Sequence, residues 1–180
     1  MTVTYEAWAN DPLGWSHFLL ALIGLASGPL IFLWRKGDSR HKIAGYVYVL
    51  SMGTTNVSAL LIYDLTKSFN LFHFFAVFSL IVLAFAFVAI RKFIVSGSAK
   101  YLHMHAHTMV WSWFGLVMAA IAEVVTRLFD GLLLGGSGWW PFLVFLALTM
   151  AGGSWLIKNL THRFVPEYAD DRACFRLKHC

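Results

Sequence analysis

Three histidines stand at alternate positions in the stretch Tyr101-Leu-His-Met-His-Ala-His-Thr-Met-Val-Trp-Ser-Trp113, at the mouth of a long apolar run. Neutral imidazole is the commonest metal ligand among side chains and titrates near neutral pH. On a helix a step of four residues returns nearly to one side, so His103 and His107 share a face and His105 looks away. Three ligands cannot converge from one regular helix in that pattern. Any site here needs a partner from another element.

The other histidines supply candidates. His17, His41 and His73 each open an apolar segment, whereas His162 and His179 belong to the polar end of the chain and read as solvated. The chain of 180 residues is 59% hydrophobic and 17% aromatic, with 13% charged residues. Soluble domains carry roughly a quarter charged residues. Together with a mean hydropathy of +0.67, this composition implies an all-α integral membrane protein.

Five apolar segments approach the roughly 20 residues that cross a bilayer. They are residues 13–34, 41–63, 71–90, 101–125 and 139–157, with short connections and no internal repeat. Residues 1–160 therefore read as a single transmembrane bundle and residues 161–180 as a cytoplasmic tail. Gly24, Gly28 and Pro29 mark a kink or close contact in the first segment. The N-terminus has no positive charge before the first apolar run, which argues against a cleaved signal peptide.

Positive charge gives the orientation. Arg35, Lys36, Arg40 and Lys42 fill the first connection, and Arg91, Lys92 and Lys100 the third. Lys158, Arg163, Arg172, Arg176 and Lys178 follow the last segment, while the second and fourth connections hold only Lys67 and Arg127. The N-terminus is expected outside and the C-terminus in the cytoplasm of a bacterial inner membrane. Trp8, Trp15, Trp139 and Trp140 would join an outer aromatic belt. The net charge of +5 is consumed by these connections, so no basic face remains for nucleic acid. Cys174 and Cys180 are expected to be reduced and unpaired, with at most a weak metal site alongside His179.

On this topology His17 and His73 fall in an outer layer, and His41 with the His103/His105/His107 cluster in an inner one. Titratable groups within membrane segments are rare and usually functional. Bis-histidine pairing suggests b-type haem, with His17 and His73 holding an outer group and His41 and His105 an inner one. His103 and His107 are alternate ligands, a proton path or interface residues. Gly45, Gly24 and Gly115 offer room for a flat ring. The span from His73 to Arg91 is roughly 27 Å at helical rise, long for electron transfer between two haems.

A second reading places zinc or another divalent metal among His17, His73, Asp64 and Glu123, in a metal-dependent membrane enzyme. Glu123 with Arg127 is equally an intrahelical ion pair. Tyr46, Tyr48 and Tyr63 read as packing and interface residues. A third reading is a cofactor-free subunit of a larger membrane complex. The lipid bilayer is the common partner, with quinol or a redox protein added in the haem reading.

Several motifs together resemble a known family. His17…Gly28-Pro29, His41-Lys-Ile-Ala-Gly45-Tyr46-Val-Tyr48, Phe72-His73 and His105…Met109…Ser112 are similar, in order and spacing, to domain of unknown function 2306. The resemblance covers residues 13–125 and implies a bacterial multi-pass membrane bundle. It supplies no activity. The layout is similar to b561-like dihaem cytochromes by architectural analogy alone.

Overall fold

A computed structural model describes residues 11–63, 67–128 and 140–164, of which every regular element is helical. The helices are α1 (Pro12–Leu33), α2 (Ser39–Ala59), α3 (Leu71–Ser96), α4 (Ala99–Leu128) and α5 (Trp140–Phe164). Three are long and apolar enough to cross a membrane: α1, α3 and the Ala99–Val125 part of α4. In α5 the apolar stretch is shorter, Leu143–Trp155.

Local chemistry sets the helix ends. The Asp11 carboxylate accepts from the Gly14 N–H at 2.7 Å, and Pro12 occupies the first turn, where its missing N–H costs nothing. Asp38 caps α2 through the Ser39 N–H, and Asn70 caps α3 through the Phe72 N–H. Lys36 Nζ donates to the carbonyls of Ile31 and Phe32, closing α1 where its dipole is negative. Gly97, at φ 66, ends α3 in the left-handed conformation and reverses the chain into α4.

Several boundaries differ from the sequence expectation. α2 ends at Ala59, and α3 continues to Ser96, so Arg91 and Lys92 lie inside a helix. Their long side chains can reach the interface from a helix end, which lets a helix outlast its apolar core. α5 likewise runs past residue 157 to Phe164 and takes in His162.

α1 packs on α2 and α3 on α4 as two antiparallel hairpins. Contacts of α2 with α3 and of α1 with α4 close the four into a ring, and α5 lies against α4. The core contains Ile31, Ala44, Tyr48, Met52, Leu83 and Leu116.

α2 lacks the apolar character of the other three because its polar residues point inward. Ser51, Thr55, Asn56 and Ser58 are buried, while Ile43, Tyr46, Val47, Leu50 and Val57 are exposed. Phe74, Phe78 and Phe85 on α3 are exposed too. An aliphatic or aromatic side chain gains about 1.5–3 kcal/mol by leaving water, so this surface suits lipid. Inside, Asn56 Nδ2 donates to Ser79 Oγ across α2 and α3, at 3.0 Å.

Candidate functional site: two histidine layers

His17 and His41 are placed by the α1–α2 hairpin in reciprocal fashion. His17 Nδ1, near the start of α1, lies 3.1 Å from the Thr55 carbonyl and 2.9 Å from Ser58 Oγ, near the end of α2. His41 Nδ1, at the start of α2, lies 3.1 Å from the Ile31 carbonyl, near the end of α1. Fourteen residues separate His17 from Ile31, and fourteen separate His41 from Thr55. At helical rise the two layers are roughly 21 Å apart, shorter than the 27 Å suggested by the helix ends.

His105 completes the second layer. Its Nδ1 lies 2.9 Å from the Ala86 carbonyl of α3. α2 and α4 run parallel, and the 2.8 Å hydrogen bond between Tyr48 and Ser112 offsets them by 64 residues. By the same offset His105 falls toward the end of the bundle that holds His41. His103 is half-buried, and His107 is exposed, its Nε2 accepting from the Trp111 indole N–H at 3.2 Å. Of the triple cluster, His105 is the member whose ring reaches across to the backbone of α3.

The carbonyl partners decide the tautomers. A carbonyl oxygen can only accept, so a neutral imidazole with Nδ1 against one must carry its proton there. Ser58 Oγ donates to the Thr55 carbonyl and is free to accept from His17. His17, His41 and His105 thus keep their Nε2 lone pairs, and no protein partner meets those atoms among the described residues.

His73 is different. It is 1% exposed, and its ring lies between Tyr63 and Phe69, with centroids at 4.5 and 5.0 Å. Nδ1 is 3.2 Å from the Asn70 N–H, which would donate to it, and 3.0 Å from Asn70 Oδ1, which would accept from it. These contacts ask for opposite tautomers. Nε2 is buried and has no hydrogen-bond partner among the described residues. His73 occupies the same end of the bundle as His17, but its contacts lie with Tyr63, past the end of α2, rather than with Thr55 and Ser58.

Among the described residues no group of three or more His, Cys, Asp or Glu gathers around one point. Asp64 lies outside the described residues, as do Trp8, Trp139, Cys174, His179 and Cys180 and the side chains of Arg127, Trp140 and His162. Glu123 is half-buried on α4 and has an interaction of its own. Gly45, one turn beyond His41, opens onto free space, and so does Gly115. Gly24 is closed off: a Cβ there would stand 3.0 Å from Leu116 Cδ2 and 3.4 Å from Ser51 Oγ, so this glycine serves helix packing. Sequence spacing located the histidine layers but not Thr55, Ile31 or Ala86, because a backbone carbonyl leaves no mark in side-chain pattern.

The sequence model of the family described as predicted membrane protein (DUF2306) matches residues 14–160. The chain belongs to that family, and the match runs through α5, beyond the 13–125 drawn from the histidine motifs. The fifth helix carries no such motif, so its membership was not visible in them. No curated protein and no solved structure matches the chain.

Proposed function

We propose that this family member is a five-span b-type cytochrome of the bacterial inner membrane. His41 and His105 hold one haem between α2 and α4, and His17 with His73 a second toward the other end. The observation that carries this reading is the tautomer arrangement. Metal-bound histidines commonly donate their second nitrogen to a carbonyl, which fixes the ring and leaves the other lone pair for the metal. His41 and His105 have that arrangement on facing helices at one level, with Ala44 and Ala86 as small neighbours and open space at Gly45.

Bound there, haem b would supply a one-electron carrier. The protein's own part is to hold each imidazole by its Nδ1–H and to exclude water with the apolar core. At the other end, ligation by His73 requires the tautomer that donates to Asn70 Oδ1, and its unpartnered Nε2 is the atom left to bind. Quinol or a redox partner protein would exchange electrons at the two ends.

Five spans and the orientation rest on charge. Arg35, Lys36, Arg40 and Lys42 share one end of the bundle with Arg91, Lys92 and Lys100, and that end is cytoplasmic by the positive-inside rule. α2, at 21 residues, is roughly 31 Å long and can span with its polar face turned inward.

The test is the spectrum and haem content of the full chain purified from a haem-replete host. A low-spin haem signal is expected, with His41→Ala and His105→Ala each removing the same component and His17→Ala and His73→Ala the other. Haem-free protein from such a host would overturn the reading. Stoichiometric zinc without haem would favour the divalent-metal site at His17, His73, Asp64 and Glu123. Stable protein with neither would favour a subunit of a larger complex.

A further inference from the structure

The buried polar face of α2 has a continuation on α4. Ser58, Thr55, Ser51 and Tyr48 follow one another at steps of three or four residues, which keeps them on one side of the helix. All four are buried. At Tyr48 the line crosses to α4 through the 2.8 Å hydrogen bond with Ser112. Thr108 follows one turn away on the same side of α4, and His105 one turn beyond that. The two halves connect the level of His17 with the level of His105.

Hydroxyls in membrane helices often do nothing more than bond their own backbone. Ser51 donates to the Tyr48 carbonyl, Ser58 to that of Thr55, and Thr108 to that of Met104. Thr55 does not follow this pattern. It is 5% exposed, and its Oγ1 has no hydrogen-bond partner among the described residues. A buried hydroxyl is costly to leave unpaired, and internal water is the usual remedy where a protein partner is missing.

We infer that water bound at Thr55 completes a proton relay through the bundle, from Ser58 through Thr55, Ser51, Tyr48 and Ser112 to Thr108. Successive residues of the line are about 4.5–6 Å apart along the helix, which puts neighbouring serine and threonine hydroxyls near the span of one bridging water. The longer step from Ser51 to the Tyr48 hydroxyl, which reaches α4, takes more than one. Each transfer forms one O–H bond on the receiving oxygen and breaks one on the donor. The chain of hydroxyls and waters is restored by rotation, and the net result is one proton moved, with no oxidant or reductant. Tyr48 and Ser112 make the one direct link, and they stand midway between the two histidine layers.

The experiment uses full-length protein in phosphatidylcholine/phosphatidylglycerol vesicles with a pH-sensitive dye inside, driven by a potassium diffusion potential. Proton entry above that of protein-free vesicles is expected. Thr55→Val and Tyr48→Phe should each slow it by about tenfold or more, the scale set by one lost buried hydrogen bond, while Thr55→Ser keeps it. Wild-type flux equal to that of empty vesicles would overturn the relay, as would Thr55→Val conducting like wild type. Should Thr55→Val fail to fold, Ser51→Ala interrupts the line one turn away, and undiminished flux there overturns it equally. The readout requires no haem, so it stands or falls apart from the cytochrome reading.

Discussion

Trp113 donates its indole N–H to the Leu25 carbonyl at 3.2 Å, across 88 residues of sequence. That carbonyl is the acceptor that residue 29 would serve in an unbroken helix, and residue 29 is proline, which has no N–H. Gly28 makes the approach possible, because a Cβ there would collide with the Trp113 ring. One aromatic residue of α4 thus repairs the backbone of α1 and fixes the spacing of the two helices.

A double-mutant cycle tests this repair. Trp113→Phe takes this donor from the half-buried Leu25 carbonyl, at an expected cost of about 1 kcal/mol. Pro29→Ala returns the missing N–H, so Pro29→Ala/Trp113→Phe should lose less stability than the two single changes together. Strict additivity in thermal unfolding in detergent would refute the pairing.

Tyr48 and Ser112 form the central link between α2 and α4. Ser112→Ala strands a buried phenol hydroxyl and is expected to destabilise by about 1–3 kcal/mol. Adding Tyr48→Phe removes the stranded group, so Tyr48→Phe/Ser112→Ala should be more stable than Ser112→Ala alone. The melting temperatures of the three variants decide the matter.

Adjacent glycines of α5 make opposite predictions. A Cβ at Gly153 would run into the Phe114 ring, whereas one at Gly152 meets nothing. Gly153→Val should therefore push α5 from α4 and cost about 1–3 kcal/mol by overpacking, with Gly152→Val close to neutral. Equal melting temperatures for the two variants would show that α5 does not pack this way.

Lys36 gives a pH signature. Partial burial holds its ammonium below the ordinary lysine value of 10.5. The folded chain binds that proton less tightly than the unfolded chain, so this group opposes folding at neutral pH, and the opposition fades as pH rises through its folded pKa toward 10.5. Measured against Lys36→Met, wild type should gain relative melting temperature from neutral pH upward. A difference that stays constant, or moves against wild type, would contradict the sign.

Much of the architecture is legible without coordinates. The apolar runs announce the helices, because hydropathy acts over a few residues, whereas the caps at Asp11, Asp38 and Asn70 and the turn at Gly97 came with the structure. The two histidine layers follow as well, since each histidine lies near a helix end and alternate helices reverse direction. Tertiary structure decided what depends on distant partners. It set the His105 ring against the Ala86 carbonyl, and it turned the polar side of α2 inward, where Asn56 and Tyr48 bond to neighbouring helices. It also supplied the Thr55, Ile31 and Ala86 carbonyls that set the histidine tautomers and the indole that answers Pro29. These are contacts between a side chain and a remote backbone atom, and every residue carries the same backbone atoms, so no spacing in the sequence can single them out.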